Sequence, residues 1–389
     1  MDFSFTPEEE AFRAEVREWL LAELGPDFHD SGMVYGKDWS FERDYVKRLA
    51  KKGWLVPAWP KEYGGLALGI VKQTIFQEEM TYYRSPHGHL TGNGTSLIGP
   101  ILMVYGTDEQ KAEQLPLIAS GERLWAQGFS EPNSGSDLAS LECRAVMDGD
   151  DFVVNGTKIW TSSGHLADWM FILVRTDPDA PKHRGISFLI FDMKTPGVSI
   201  HPLVDMAGEH VINQEFFEDV RVPKANLVGE YNRGWYVGAA LLDFERSGIG
   251  RVASARRRTD DLVAFAKQAR VNGARLIDQP AVRAKLTERM IECVAGRYLC
   301  YRVASMQEAG LIPNQEASMA KLIGSETQQR VARTGTEVLG IHGQLLDGPA
   351  AKLRGDYARW YMDTIPQTIE SGSSEIQRNI IATRGLGLP

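Results

Sequence analysis

Two glycine- and serine-rich stretches near the middle of the chain carry residue types that could hold a flat ligand. They are GFSEPNSGSDLAS, Gly128–Ser140, and NGTKIWTSSG, Asn155–Gly164. Glycine and serine let the backbone approach a ligand closely and offer N–H and O–H donors. In the second stretch Trp160 is followed by three hydroxyl residues, 161–163. A stacking ring beside hydrogen-bond donors suits a planar heteroaromatic cofactor, and a polar hairpin with one half-buried tryptophan gives the same pattern.

Two acids are candidates for a general base. Glu245 lies in the apolar helical run ALLDFERSGIG. A carboxylate that faces an apolar pocket has a raised pKa, which suits a base acting near neutral pH. The alternative for Glu245 is a surface ion pair with an arginine on the same helix. Glu370 lies in the loop IPQTIESGSSEIQR before the last helix, where an acid is also favoured by the helix macrodipole.

Composition excludes several classes of protein. The net charge of -8 with no basic stripe disfavours nucleic-acid binding. No apolar run approaches the roughly 18 residues of a membrane span, and no signal peptide is recognisable at the N-terminus. The cysteines at 143, 293 and 300 are too scattered for a disulfide framework, and His87 and His89 lack a third metal ligand at suitable spacing. We therefore predict a cytoplasmic protein with no metal and no membrane or nucleic-acid partner.

The first third of the chain has helix start and stop signals. The sequence TPEEE beginning at Thr6 is a capping box, and the Gly-Pro pair at 25–26 should end that helix. Ser40 is predicted to cap a second helix and Thr107 a later one. These patterns predict an N-terminal α domain over residues 1–122.

The character of the chain changes at about residue 125. Short segments rich in β-branched and aromatic residues, separated by turn residues, predict a middle antiparallel β domain over residues 123–233. Long helical patterns then predict a C-terminal helical bundle over residues 234–389. One of these patterns places apolar residues 282, 286, 290 and 294 in a stripe expected to face the bundle. The predicted fold class is α+β, in the order α, β, α.

Five segments in order resemble the acyl-CoA dehydrogenase family. They are FSEPNSGSDLASL, NGTKIWTSSGHLADW, FFEDVRVPKANLVG, LLDFER and GSSEIQRNIIA. The resemblance covers nearly the whole chain and includes the α–β–α layout. It implies FAD held between the β domain and the C-terminal bundle, an acyl-CoA substrate, and a homotetramer in which a neighbouring subunit completes the site.

The resemblance also implies roles for single residues. Those assigned to FAD are Phe129, Ser130, Trp160, Thr161, Ser162, Ser373, Ser374 and Glu375. Those assigned to the acyl-CoA substrate are Ser136, Asp243, Arg246 and Gly372. Within the first group, Trp160 would stack on the isoalloxazine and Ser162 would hydrogen bond near its N5.

The sequence departs from the family's pattern in three places. The usual catalytic glutamate falls at Ser371, which has no useful basicity, whereas Glu245 occupies the position used by members with a glutamate in the DxER helix. We therefore predict Glu245 as the catalytic base, with Glu370 as the alternative. Gln268 replaces an arginine and Glu337 a glutamine at positions that the family uses for FAD contacts. These changes leave open a heterotetramer with a paralogue.

The resulting prediction is an FAD-dependent acyl-CoA dehydrogenase that forms the trans-2-enoyl-CoA and passes electrons to an electron-transfer flavoprotein. One alternative is a flavin monooxygenase on the same scaffold. Another is a partner subunit that completes the site of a second chain. The acyl chain is not predicted.

Overall fold

The computed structural model describes residues 4–26, 28, 38–244 and 248–389. These residues separate into two units that interleave along the chain. The helical unit takes its described residues from the ranges 1–30, 69–85 and 246–389, and the sheet unit from 31–68 and 86–245. Each unit therefore contains segments from more than one part of the sequence.

The helical unit is a bundle of long helices with two short ones near the C-terminus. Its helices are α1 (Pro7–Leu24), α3 (Ile70–Tyr82), α8 (Ile249–Gln268), α9 (Pro280–Glu308), α10 (Asn314–Leu339), α11 (Asp356–Asp363) and α12 (Ser374–Ile380). A two-stranded hairpin, Arg270–Val271 with Ala274–Arg275, joins α8 to α9. The three helices α8, α9 and α10 pack against one another, and α3 packs on α8 and α9.

The sequence signals at the helix starts are largely confirmed. The Thr6 hydroxyl accepts the Glu9 N–H at 3.2 Å, and the Glu9 carboxylate accepts the Thr6 N–H at 2.7 Å. Thr107 forms the same reciprocal arrangement with Gln110. The prediction for Ser40 is wrong: Ser40 is the first helical residue, and its own N–H and hydroxyl both donate to the carboxylate of Asp38.

The apolar stripe predicted on α9 is only partly correct. Leu286 is buried, but Val294 is 37% exposed within the chain. The buried positions include Leu286, Arg289, Cys293, Gly296 and Cys300. Because four residues advance about 400° around a helix, a strict four-residue repeat drifts off one face, and the buried face follows alternating steps of three and four. Cys293 and Cys300 are buried, and this burial raises the pKa of Cys293 to about 11 and that of Cys300 to about 12.

The sheet unit contains the middle part of the chain. Its helices are α2 (Ser40–Lys51), α4 (Gly88–Gly92), α5 (Gly99–Tyr105), α6 (Asp108–Ala119) and α7 (Gly234–Phe244). Its strands are β1 (Trp125–Gly128), β2 (Arg144–Asp148), β3 (Asp151–Ser162), β4 (Trp169–Arg175), β5 (Ile186–Asp192), β6 (Val198–Val204) and β7 (His210–Pro223).

The strands form one sheet in the order β1-β4-β2-β3-β7-β6, with β5 also paired to β4. The pairs β2–β3, β3–β7, β4–β5 and β6–β7 are antiparallel, as the sequence predicts, while β1 and β2 pair with β4 in parallel. Strands β4 and β5 are apolar along almost their whole length and are buried, because helices and loops of the unit cover one face and the curved sheet covers the other. The α–β–α fold class is confirmed.

Candidate flavin site

Trp160 is the extra residue of a β-bulge in β3. The pairing with β7 places Ile159 opposite Gln214 and Thr161 opposite Asn213, so Trp160 has no partner. Its backbone φ is +66°, in the left-handed region, and its side chain is 59% exposed. A bulge re-aims the side chain it carries, and a bulky residue is held in this conformation only when its surroundings enforce it. The strand therefore presents the indole on the surface of the unit.

The hydroxyl residues after Trp160 divide into exposed and buried ones. Ser162 is exposed at the end of β3. Thr161 is 1% exposed, and its hydroxyl lies 2.5 Å from Oε2 of Glu215, so its side chain faces the interior. Ser163 has a φ of +58°, and its N–H donates to the carbonyl of Val211 at 3.0 Å. Of the predicted contacts, Trp160 and Ser162 are exposed together, whereas Thr161 can offer only backbone groups.

The serine-rich stretch after β1 is tied to the strand just before the bulge. The carbonyl of Ser130 accepts the N–H of Ile159 at 2.9 Å. Phe129 is 7% exposed and packs edge-on against Phe171, with a centroid distance of 5.8 Å. The fold thus brings Ser130 next to the Trp160 segment, and Phe129 serves mainly as part of the core beneath it.

A buried ion pair that was not predicted from the sequence fixes these two segments. Lys158 is fully buried, and its Nζ donates to Oε1 of Glu131 at 2.8 Å and to the carbonyl of Phe129 at 3.0 Å. The Glu131 carboxylate also accepts the N–H groups of Glu142 and Cys143, at 2.7 and 2.9 Å. A lysine two residues before the tryptophan, on the inward face of an alternating strand, was the available signal.

Ser136 is exposed on the loop that follows Glu131. The neighbouring Asp137 is also exposed and accepts a hydrogen bond from Lys182 at 2.6 Å. The Lys182 ammonium, together with the Ser140 hydroxyl, lowers the pKa of Asp137. This loop offers a solvent-facing hydroxyl and a mixed-charge surface, as a contact with a polar part of a substrate would require.

In the helical unit, the predicted C-terminal contacts cluster at the start of α12. Ser371 and Gly372 both have left-handed φ values, +51° and +82°. Ser373 occupies the N-cap position, and its hydroxyl accepts the Ile376 N–H at 3.3 Å. Ser374 is 5% exposed, and within the described residues its hydroxyl oxygen has no hydrogen-bond partner. Glu375 is exposed, with a pKa lowered by its own backbone N–H and by Ser373.

Of the two candidate bases, the structure describes only Glu370. Glu245 and Arg246 lie outside the described residues, and Asp243 is on α7 without a described side chain. Glu370 is described: its side chain is 47% exposed, and one carboxylate oxygen lies 3.9 Å from the Arg251 guanidinium. Glu370 is therefore a partly solvated acid beside a cation, and the role predicted for Glu245 stays a prediction.

The two altered family positions are both at the surface of the helical unit. Gln268 is the last residue of α8 and is exposed. Glu337 on α10 forms an ion pair with Lys285 of α9. The Lys285 ammonium offsets the negative charge that Glu337 introduces at this position. Arg275, in the hairpin after α8, forms a bidentate ion pair with Asp278.

The exposed groups fit a flavin. Within the sheet unit, an indole with a solvent-facing surface and the exposed Ser162 hydroxyl beside it are groups that a planar ring with polar edges needs. In the ranges that the structure describes, no helix is long and apolar enough to cross a bilayer.

Comparison with known proteins identifies the class. The family models for the N-terminal, middle and C-terminal domains of acyl-CoA dehydrogenases match residues 6–122, 126–220 and 232–386. The chain belongs to the acyl-CoA dehydrogenase family, whose members are FAD-dependent oxidoreductases.

Three relatives illustrate the similarity. Acyl-CoA dehydrogenase FadE26 of Mycobacterium tuberculosis is 37% identical, over 100% of this chain and 99% of the relative. A solved structure described as the Tcur3481-Tcur3483 steroid ACAD is 36% identical, with a TM-score of 0.91 and full coverage of both chains. The ChsE4-ChsE5 complex from M. tuberculosis is 36% identical, with a TM-score of 0.88 and full coverage of both chains.

Proposed function

We propose that the protein oxidises an acyl-CoA thioester to the trans-2-enoyl-CoA and passes the electrons to an electron-transfer flavoprotein. The observation that supports this most directly is the bulge at Trp160, which presents a large aromatic ring beside Ser162 in a family that uses FAD. FAD, when bound, supplies the oxidising power by accepting hydride from Cβ of the substrate. The protein positions the substrate against the flavin and supplies the electrostatic environment of the reaction.

Each residue has a defined task in this proposal. Trp160 stacks on the ring system, and Ser162 donates a hydrogen bond to its edge. Ser136 and the DxER helix contact the CoA part of the substrate. The Glu245 carboxylate removes the proton from Cα of the thioester, whose acidity depends on hydrogen bonds to the thioester carbonyl. A base with this role must face an apolar site, because exposure to bulk water would lower its pKa to that of an ordinary carboxyl.

Anaerobic reduction by substrate distinguishes the two candidate bases. Adding a good acyl-CoA substrate to the FAD-loaded enzyme should bleach the flavin absorbance. Glu245→Gln should retain FAD and lose bleaching, whereas Glu370→Gln serves as the matched control and should bleach like the native enzyme. Bleaching that survives in the first variant and fails in the second would assign the base to Glu370.

The substrate class that we propose is a bulky, steroid-derived acyl-CoA thioester. The support is the 0.91 TM-score to the structure described as a steroid ACAD, over the whole of both chains. A panel of straight-chain, branched and polycyclic acyl-CoA thioesters, assayed with an artificial electron acceptor, tests this. The highest kcat/KM should fall on a polycyclic thioester, and a preference for butyryl-CoA or palmitoyl-CoA would refute it.

A heteromeric assembly is the second candidate. Its support is the pairing of two protein names in both similar structures, together with Gln268 and Glu337 at positions where the family has other residues. Purification of the chain alone and after co-expression with a paralogue tests it. FAD content that rises to a full complement only in the co-expressed complex would support the heteromer, and a yellow, active homotetramer would exclude it.

A further inference from the structure

A fully buried acid lies directly behind the bulge that presents Trp160. Glu215 on β7 has no exposed surface, and its Oε2 lies 2.5 Å from the hydroxyl of Thr161, the residue after the bulge. Its other oxygen, Oε1, has no hydrogen-bond partner among the residues described. A Cβ added to Gly164 would come within 2.5 Å of that oxygen, so the turn after β3 closes tightly over the carboxyl group.

A second polar side chain of β7 also holds Thr161. The side-chain amide of Asn213 donates to the carbonyl of Thr161 at 3.0 Å, and its Nδ2 lies 3.2 Å from Nδ1 of His165. Because the amide nitrogen is the donor in both contacts, Oδ1 must accept from Nε2 of His210, at 2.7 Å. The His165 and His210 rings stack with centroids 3.8 Å apart. Both the hydroxyl and the carbonyl of Thr161 are therefore fixed by side chains of β7.

The surroundings of Glu215 supply no cation that neutralises it. On β3 its pairing partner is Lys158, whose ammonium is engaged by Glu131 and Phe129. On β6 its pairing partner is Ile200, and β1 nearby contributes no charged residue. His201 on β6 packs against Phe216, on the opposite face of β7 from Glu215, and Asp192 at the end of β5 accepts the Lys194 N–H. Two further titratable groups are the histidines bonded to Asn213. Burial raises the pKa of Glu215 to about 7, whereas burial lowers that of His165 to about 4.

We propose that Glu215 is a positioning residue for the flavin-facing segment, which acts through Thr161 to hold the strained bulge that presents Trp160 and Ser162. A neutral carboxyl satisfies the Thr161 contact without a buried charge. Loss of the proton leaves an anion with one donor and an uncompensated oxygen, which destabilises the closed arrangement of residues 160–164. The flavin-facing surface is consequently best ordered while Glu215 carries its proton. The link to FAD rests on the proposed role of Trp160.

Three variants and one control separate this role from a general effect on folding. Glu215→Gln keeps an acceptor for Thr161 and cannot ionise, so it imitates the protonated acid. Thr161→Val removes the hydroxyl that donates to Glu215, and Glu215→Val replaces the acid by an apolar, β-branched side chain suited to a strand. Glu218→Gln makes the same acid-to-amide change at an exposed position of the same strand and serves as the control.

The first measurement needs no cofactor. Infrared difference spectra of the apo-protein between pH 6 and pH 8 should show the carbonyl band of a buried carboxylic acid that disappears as pH rises. Glu215→Gln should abolish the band, and Glu218→Gln should retain it. A band that persists in Glu215→Gln, or no band in the native protein, overturns the inference whatever the role of Trp160.

The second measurement is the FAD dissociation constant of the same proteins at pH 6 and pH 8. We expect native protein and Glu218→Gln to bind FAD several-fold more weakly at pH 8 than at pH 6, and Glu215→Gln to show no such difference. Thr161→Val and Glu215→Val should both bind about tenfold more weakly at pH 6 and lose the pH dependence. Equal, pH-independent affinity in all five proteins refutes the positioning role. If the infrared band behaves as expected but Trp160→Ala leaves the FAD dissociation constant unchanged, the assignment of the flavin site would be refuted instead.

Discussion

Replacing Lys158 by methionine tests whether the buried ion pair holds residues 128–140 against strand β3. Lys158 has no exposed surface and contacts both Glu131 and the Phe129 carbonyl, at 2.8 and 3.0 Å. Methionine has a similar shape but no charge. The substitution therefore removes the ammonium and leaves the Glu131 carboxylate buried.

The size of the effect follows from what Glu131 keeps. Removing one partner of a buried pair costs about 3–5 kcal/mol. Glu131 retains two backbone N–H donors, from Glu142 and Cys143, so we expect the lower end, about 3 kcal/mol. Since about 1.4 kcal/mol corresponds to a factor of ten, the local opening of this region should become roughly a hundredfold more frequent.

Hydrogen exchange followed by mass spectrometry measures that opening locally. Peptides covering residues 125–131 and 151–162 should exchange roughly a hundredfold faster in Lys158→Met. Lys182→Met is the matched control, because Lys182 pairs with Asp137 of the same stretch while both side chains are more than half exposed. Adding Glu131→Gln to Lys158→Met should restore part of the protection, since it removes the stranded charge. Native exchange rates in Lys158→Met would show that the pair does not hold these segments.

Three further predictions concern single side chains. Trp160→Ala should raise the FAD dissociation constant about fivefold, since stacking contributes on the order of 1 kcal/mol, and equilibrium dialysis checks this. Gly335→Ala should lower the free energy of unfolding by about 1–3 kcal/mol in denaturant titrations, because the new Cβ would lie 1.9 Å from Cδ1 of Tyr357. In the control Gly92→Ala the new Cβ meets no atom within 4 Å, so the free energy of unfolding should change little. Burial lowers the pKa of His165 from 6.5 to about 4, so the folded state disfavours protonation of this ring and stability should rise as pH increases from about 4 to 6.5. In a series of thermal melts at different pH, His165→Gln should lose this rise. An unchanged rise would show that His165 does not cause it.

Local signals predicted the helix ends well because the interactions that set them are local. Thr6 and Thr107 satisfy N–H groups only three residues away, so four consecutive letters contain the whole arrangement. The orientation of α9 was less predictable, since Val294 fits an apolar stripe in the sequence and yet lies on the exposed side within the chain. Which face of an amphipathic helix is buried depends on the partners it meets, and the packing of α9 on α3, α8 and α10 is not contained in its own sequence.

The candidate site was predicted by residue type and not by conformation. Trp160 and Ser162 were selected as a ring beside a donor, and both are exposed at the end of β3. The bulge at Trp160 was not predicted, because a tryptophan with a positive φ is locally unfavourable and the surrounding residues contain no turn signal. That conformation exists because side chains of β7, more than 50 residues later, hold the next residue on both its hydroxyl and its carbonyl.

Strand β7 shows why those supporting residues are difficult to find from sequence. In NQEFFEDV the two phenylalanines are adjacent, so one falls on each face and the aromatic residues do not say which face is inward. The usual expectation that acids point to water would turn Glu215 outward and Phe216 inward. The structure has the opposite alternation: Asn213, Glu215 and Phe217 are buried, and Phe216 is only partly so. Either alternation would bury one phenylalanine, so the observed one gains no extra aromatic burial and adds the cost of burying Glu215, which is reasonable only if the acid has another task. In this strand Glu215 holds Thr161, the residue that follows the bulge presenting Trp160.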